Sequence, residues 1–240
     1  MKQFQLTNET MQVLKNFTQI NPSFLIKSTE AIVRNQAKNC VAIYRFPEPL
    51  EMDVEAFGLY EFNDFISIIS AFKNPTLSVN DSYILITEAK SKMKYFTTPL
   101  DMIPCNQKPI LKYVEGTKVY TTEQKFSNVS IELDFVIPQE KLNILLKMVS
   151  LMKTESVFFE SVEDAVRITV GNELESSHNT WEMTIDTDIK INNLDGKALK
   201  IGVSELKLLP ADYNVKMSTM GVSCWTSNIG VVYYVGLDVV

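Results

Sequence analysis

The run QEKLNILLKMVSLM (139–152), followed by SVFFESV (156–162) and DAVRITV (164–170), predicts a helix and then two strands. Apolar residues recur at helical spacing in the first run, which is typical of an amphipathic helix that covers a core. The buried stripe of this predicted helix consists of Leu142, Leu145, Leu146 and Val149. This order of elements decides the fold, because a similar unit occurs earlier in the chain.

The earlier unit lies near the N-terminus. NETMQVLKNFTQI (8–20) leads into SFLIKS (23–28) and AIVRN (31–35). Both units have Leu-Lys late in the helix, then an apolar strand, a short acidic turn and a second strand. The second strand of each unit contains an arginine, Arg34 or Arg167. A unit repeated at about half the chain length indicates two similar domains in tandem.

The rest of the chain completes two α+β halves. In the first half, the apolar stripe of EFNDFISIIS (61–70) predicts a second helix, and three strand-like runs after it predict a meander. In the second half, the corresponding predictions are a short helix over 203–209 and a meander over 213–235. Each half therefore reads as helix, strands, helix and meander, an α+β domain whose helices would lie on one face of antiparallel sheets.

The segment 99–122 separates the two halves. It contains three prolines and no sustained hydrophobic period, which is typical of a linker. We therefore predict an N-terminal domain over 1–110 and a C-terminal domain over 111–240.

Composition limits the class of protein. A chain of 240 residues with 45% hydrophobic residues can build two ordinary domains. No run approaches the length of a membrane span, and the N-terminus lacks the apolar stretch of a signal peptide. The three cysteines lie far apart without a CxxC pair, which favours reduced thiols and a cytoplasmic location. The net charge of −6 argues against a simple nucleic-acid binder unless the lysines gather on one surface.

Motifs for catalysis are absent from the sequence. Neither HExxH nor GxSxG occurs, and the glycine patterns of phosphate-binding loops are missing. The single histidine, His178, lies in a polar stretch without a positioned partner, as a solvated loop residue does. Acidic groups such as Glu160, Glu163 and Asp164 are most simply solvated turns, with a cation site as the alternative. We predict no enzyme activity, no metal and no cofactor.

The lysines show a more informative pattern. On the predicted helices they occupy the outward faces, while Asp64, Glu140 and Glu205 lie near helix N-termini, where the macrodipole favours negative charge. Taken singly, each lysine is most simply a solvated helix residue. Four helices on one face of the sheets would nevertheless make a basic surface on an acidic protein. The predicted residues of this surface are Lys15, Lys73, Lys141, Lys147 and Lys207.

The tandem halves resemble the sliding clamp family, the processivity factors of DNA polymerases, and in particular the trimeric clamps of tailed bacteriophages. The resemblance covers almost the whole chain as a dispersed match rather than one compact motif. It rests on VLKNFTQIN (13–21), FLIKS (24–28), EFNDFISIIS (61–70), LKMVSL (146–151) and LLPADYNVKMS (208–218). It implies a homotrimeric ring in which the helices line the hole and the sheets form the outer wall.

The resemblance also implies three kinds of site. The DNA-facing residues would be the helix lysines. Neighbouring subunits would join through the edge strands 92–97 and 181–187, unless both are internal strands. The interface residues would be Lys92, Lys94, Phe96, Trp181, Met183 and Ile185. The pocket for client peptides would be formed by Ile103, Ile110, Leu111, Tyr234 and Leu237.

The function implied by the resemblance is to encircle duplex DNA and tether the replicative polymerase, with weak, sequence-independent DNA affinity. A clamp-loader ATPase would place the ring on DNA, in the cytoplasm of the infected host cell if a phage encodes the protein. The alternative is a non-enzymatic structural or assembly protein of a virus, built from duplicated β-rich domains. A hydrolase with scattered carboxylates is a third possibility.

Overall fold

The computed structural model describes residues 2–104, 113–115, 118–120, 130–171, 179–187, 194 and 196–240. The chain divides into two compact units, Met1–Pro109 and Ile110–Val240. Each unit combines α-helix with antiparallel sheet, so the predicted α+β class with two similar halves is confirmed. The described residues include no helix long and apolar enough to cross a membrane.

The described part of the first unit contains two α-helices, seven strands and a 3-10 helix at Leu100–Met102. The helices are α1 (Asn8–Phe17) and α2 (Phe62–Ser70). The strands are β1 (Phe24–Lys27), β2 (Glu30–Arg34), β3 (Cys40–Arg45), β4 (Ala56–Leu59), β5 (Thr76–Val79), β6 (Tyr83–Glu88) and β7 (Ser91–Phe96).

Helix α1 begins where the sequence predicts it. The Thr7 hydroxyl oxygen accepts a hydrogen bond from the Thr10 N–H at 3.1 Å, as an N-cap residue does. The apolar stripes of both helices are buried, and the Phe24 and Phe62 rings lie 4.5 Å apart, so α2 packs on β1. The buried helix residues are Val13, Leu14 and Phe17 in α1 and Phe62, Phe65 and Ile69 in α2.

Two antiparallel sheets follow in this unit. One has the order β4–β1–β2–β3, and its strand β4 (AFGL) is not predicted by the sequence. The other is the predicted meander β5–β6–β7. Phe4 pairs with Leu77 through both backbone hydrogen bonds, at 3.0 and 2.9 Å, and so covers the outer edge of β5. The opposite edge of this meander is β7.

The described part of the second unit contains one α-helix, α3 (Gln139–Met152), and a 3-10 helix at Val203–Glu205. A short hairpin, β8 (Tyr113–Glu115) and β9 (Lys118–Tyr120), lies within the predicted linker segment. The remaining strands are β10 (Leu133–Ile137), β11 (Ser156–Val162), β12 (Ala165–Val170), β13 (Trp181–Asp186), β14 (Leu199–Gly202), β15 (Tyr213–Ser218), β16 (Val222–Ser227), β17 (Val231–Gly236) and β18 (Asp238–Val239).

Helix α3 has the predicted limits, and it leads into the antiparallel pair β11–β12 as α1 leads into β1–β2. The Gln139 N–H donates to the Asp212 carboxylate at 2.8 Å, so an acid from a distant loop satisfies the helix N-terminus. Lys153, with φ of 53°, ends the helix in the left-handed region. Its buried stripe is Leu142, Leu145 and Val149, while Leu146 is half-buried.

The strands of the second unit form two antiparallel sheets with the orders β10–β15–β16–β17 and β13–β12–β11–β14–β18. The first contains the predicted meander β15–β16–β17. In the second sheet, β13 lies at one edge and pairs with β12.

The helix predicted over 203–209 is wrong in type and extent. A 3-10 helix occupies Val203–Glu205, and no α-helix follows it before Pro210. Beyond Glu205, Leu206 and Leu208 are buried while Lys207 is half-buried, which is the two-residue alternation of an extended chain. The described part of the chain therefore has three α-helices instead of the predicted four.

Candidate functional site

Strand β7 is an edge strand of its sheet, and within the described residues no strand pairs with its outer side. The Thr97 N–H donates to the Ser82 carbonyl at 3.0 Å, and this pair continues the β6–β7 register. Because hydrogen-bonded pairs alternate along an antiparallel ladder, the N–H and C=O groups of Lys92, Lys94 and Phe96 point away from β6. Such an edge can accept another strand.

The side chains of Lys92, Lys94 and Phe96 share one face of β7, and this face is basic and aromatic. Lys90 in the preceding turn, Lys92 and Lys94 are all exposed, and Phe96 has 72% of its surface exposed. The Lys94 ammonium lies 4.6 Å from the centre of the Tyr83 ring, a cation–π contact that orients this lysine on the exposed face. Three lysines in five residues make this the most basic run among the described strands.

The opposite face of β7 anchors the strand to the first unit. The Tyr95 hydroxyl donates to the Glu61 carbonyl at 3.1 Å, and its ring lies 5.1 Å from the ring of Phe65 in α2. Burial, followed by the nearby carboxylates of Asp64 and Glu61, raises the pKa of Tyr95 above its usual value. The phenol therefore stays protonated at neutral pH and holds β7 in place as a hydrogen-bond donor.

Strand β13 has the complementary arrangement. The Thr187 N–H donates to the Asp164 carbonyl at 3.3 Å, and this pair continues the β12–β13 register. By the same alternation, the N–H and C=O groups of Glu182, Thr184 and Asp186 point away from β12. The side chains of these three residues are exposed. The edge is therefore acidic where that of β7 is basic.

Trp181, Met183 and Ile185 of β13 point to the other face of the sheet. Ile185 is 3% exposed, whereas Trp181 and Met183 are half-buried. This face of β13 is apolar, like the face of β7 that carries Met93 and Tyr95. The two strands predicted to join subunits are both edge strands of their sheets within the described part of the chain. The alternative, that both are internal strands, is not what the structure has.

The predicted DNA-facing lysines lie in different structural environments. Lys15 in α1 and Lys147 in α3 are exposed on their helices, as predicted. Lys73 is exposed but lies beyond Ala71, the C-cap of α2. Lys207 lies on no helix, because the predicted helix that would carry it does not form. Lys141 is half-buried, and its ammonium group donates to the Thr184 carbonyl at 3.2 Å.

Acidic residues offset the lysines on the helices. Glu9, Asp64 and Glu140 lie in the first turns of α1, α2 and α3, where the helix macrodipole favours negative charge. The exposed faces of the three described helices therefore carry both charges, and the DNA-facing role of their lysines stays a prediction.

Of the five residues predicted to form a client pocket, the structure describes three, and two of these are buried in their own units. Ile103 is fully buried in the first unit, and its Cγ1 fills the position that a Cβ on Gly58 would occupy. In the second unit, Leu237 is 8% exposed, and Tyr234 is half-buried on β17 opposite Cys224. The predicted pocket residues Ile110 and Leu111 lie outside the described residues, as does His178.

A cavity of about 540 Å³ lies in the second unit near the end of α3. Its lining includes Lys153 and Lys200 as well as Glu155 and Glu160, and Glu160 pairs with Arg167 at 2.8 Å. This mixture of charges selects neither an anion nor a cation. Within the described residues, no group of three or more His, Cys, Asp or Glu side chains could hold a metal ion.

From sequence, β13 was not identified as an acidic edge strand. Glu182 and Asp186 alternate with apolar residues in WEMTID (181–186), just as Lys92 and Lys94 alternate in SKMKYF (91–96). The shared alternation of charged and apolar residues could have indicated that the two strands have the same pattern and opposite charges.

No protein-family model matches the sequence, and a comparison with curated proteins gives no match. Solved structures do match. A PCNA2–PCNA3 complex from Sulfolobus tokodaii is 8% identical, with a TM-score of 0.63, over 98% of this chain and 98% of that chain. A. fulgidus PCNA with the C-terminal region of FEN-1 bound is 11% identical, with a TM-score of 0.67, over 100% of this chain and 98% of that chain.

A third match is the DNA polymerase sliding clamp from Pseudomonas aeruginosa, which is 12% identical with a TM-score of 0.61. The alignment covers 98% of this chain but 64% of the bacterial chain. These matches cover nearly the whole of the present chain, which therefore has the sliding-clamp fold predicted from its sequence. The closer resemblance to bacteriophage clamps stays a prediction.

Proposed function

We propose that this protein is a sliding clamp, a ring of identical subunits that encircles duplex DNA and holds a replicative DNA polymerase on its template. The observation that carries the proposal is the pair of edge strands, basic β7 and acidic β13, on a chain with the sliding-clamp fold. A head-to-tail ring needs two different and mutually complementary surfaces on every subunit.

The two edges match in backbone and side chain at once. Residues directly opposite each other in an antiparallel pair have side chains on the same face of the sheet. Antiparallel registers that pair the outward groups of Lys92 and Lys94 with those of β13 therefore place lysines opposite or diagonal to Glu182 or Asp186. The same registers place Met93 and Tyr95 on the apolar face with Trp181, Met183 and Ile185.

Three subunits are proposed to close the ring, as in the trimeric clamps that the sequence resembles. Pairing would cover β7 and β13 in every subunit, so that neither edge stays open to aggregation. Of the helices in the described part of the chain, each subunit would contribute α1, α2 and α3 to the inner surface.

Retention on DNA would then be topological. Lys15 and Lys147 supply mobile point charges that attract phosphates without reading bases. Because Glu9, Asp64 and Glu140 offset them, the ring would slide with weak, sequence-independent affinity. The partners would be the polymerase and a clamp-loader ATPase, which would bind the ATP used to place the ring on DNA.

Extension of a primed circular single-stranded template tests this function. With the replicative polymerase and clamp loader from the same source, the wild-type protein is expected to lengthen the product of each binding event by about tenfold or more, because a topological tether lowers the polymerase dissociation rate. The matched control is Lys92→Glu/Lys94→Glu, which should not stimulate synthesis. Equal product lengths with and without the wild-type protein would contradict the function and favour a structural role.

A further inference from the structure

Lys141 occupies an unexpected place for a residue predicted to face DNA. It lies in the first turn of α3, and its ammonium group donates a hydrogen bond to the Thr184 carbonyl at 3.2 Å. Lys147, six residues later on the same helix, is exposed instead. The side chain of Lys141 therefore reaches the edge of β13.

The carbonyl that Lys141 binds is one of the outward groups of that edge. The Thr187–Asp164 hydrogen bond fixes the alternation, and the alternation places the Thr184 N–H and C=O away from β12. A strand that pairs with β13 would use this carbonyl as an acceptor. Thr184 stands at the middle of the acidic edge, between Glu182 and Asp186.

Two physical effects of Lys141 oppose pairing with β7. Its N–H group already occupies an acceptor that the incoming strand would use, so docking must displace or crowd this bond. Its positive charge also lies at the middle of the acidic edge and repels the approaching Lys92 and Lys94. A carbonyl oxygen has two lone pairs, and the charge repulsion persists even where both are used.

We propose that Lys141 is an edge guard, a residue that caps the β13 edge in the free subunit and weakens its pairing with β7 of a second copy. Natural sheets commonly protect open edges with lysines. This inference rests on the proposed ring and adds a regulatory element to it. Removal of the Lys141 ammonium should strengthen self-association, although it also removes a hydrogen bond from the subunit.

The test compares self-association of the full chain by sedimentation over a concentration series. Lys141→Met and Lys141→Ala are expected to associate at about two- to tenfold lower concentration than wild type, the range of one net hydrogen bond. The matched control is Lys147→Met, which removes the same charge from the same helix without touching the edge. This control should associate like wild type.

Each possible result either supports or overturns the proposed role of Lys141. Association of the Lys141 variants at the wild-type concentration, or at a higher one, would overturn the guard while leaving the ring intact. A gain shared equally by Lys147→Met would also overturn it, since the cause would be general charge. If neither wild type nor the Lys141 variants associate at any concentration, the ring itself fails and the guard fails with it. Circular dichroism of each variant verifies that it is folded.

Discussion

Reversing the charge of the β7 edge in Lys92→Glu/Lys94→Glu is expected to weaken self-association by about a hundredfold or more. Both side chains are exposed on an edge strand, so the subunit should fold normally. In the assembly, the new carboxylates would lie beside Glu182 and Asp186. Like charges juxtaposed across an interface cost several kcal/mol, and about 1.4 kcal/mol corresponds to a tenfold change.

The sign of the effect can be tested by reversing both edges in one chain. The variant Lys92→Glu/Lys94→Glu/Glu182→Lys/Asp186→Lys exchanges the charges of β7 and β13 and keeps the net charge of −6. It should recover most of the lost association, because lysines again lie beside carboxylates, opposite or diagonal, across the paired edges. Light scattering over a concentration series measures both variants.

A control separates pairing from general charge. Lys15→Glu/Lys147→Glu produces the same change in net charge as the β7 variant but leaves both edges untouched. It should assemble like wild type. If this control assembles as poorly as the β7 variant, β7 and β13 are not the contacting edges. The same conclusion follows if the quadruple variant does not recover self-association.

Replacing Ile103 with alanine is expected to lower the free energy of unfolding by about 2–5 kcal/mol, the usual cost of truncating a fully buried isoleucine. Ile103 has no exposed surface, and it fills the space above Gly58, where no side chain fits. Denaturant unfolding of the full chain, followed by circular dichroism, measures the change.

The neighbouring residue supplies the control for Ile103. Met102, the last residue of the 3-10 helix before Ile103, is 66% exposed, so Met102→Ala should change the unfolding free energy by less than about 0.5 kcal/mol. An Ile103→Ala variant that keeps wild-type stability but loses binding of a client peptide would support the prediction that Ile103 belongs to the partner pocket. Loss of stability identifies it as a core residue.

The repeated units could be predicted because their periodicity is strong. The runs at 8–20 and 139–152 place apolar residues at every third or fourth position, and the strands after them are bounded by polar turns. Helix α1 itself ends at Phe17, three residues before the end of its run. Strands β4, β14 and β18 have four residues or fewer and, unlike the equally short β1 and β5, do not follow a strongly periodic helix, so the sequence did not predict them. So short a run leaves no readable period, and long-range pairing determines whether it forms a strand.

The error at 203–209 has a related cause. The run VSELKLL fits a helical stripe, yet Leu206 and Leu208 are buried on alternate positions. Tertiary packing therefore overrides local propensity there. The loss of this helix also removes Lys207 from the predicted DNA-facing surface.

The candidate site was predicted in part. The edge strands were identified through the family resemblance, and their positions in the two sheets agree with that expectation. The contact of Lys141 with Thr184 could not be predicted, because the two residues lie far apart in the chain. The lysine side chain is also flexible, so sequence does not indicate which group it reaches. The pattern of lysines in a sequence does not distinguish a lysine that contacts phosphate from a lysine that caps a sheet edge.

The solution mass of the wild-type protein tests the ring most directly. Light scattering over a concentration series should approach about 82 kDa, three times the subunit mass of 27.3 kDa. The mass should fall when salt is raised, because the paired edges are charged and exposed at their rims. A mass of 27.3 kDa at every concentration would contradict self-assembly through β7 and β13.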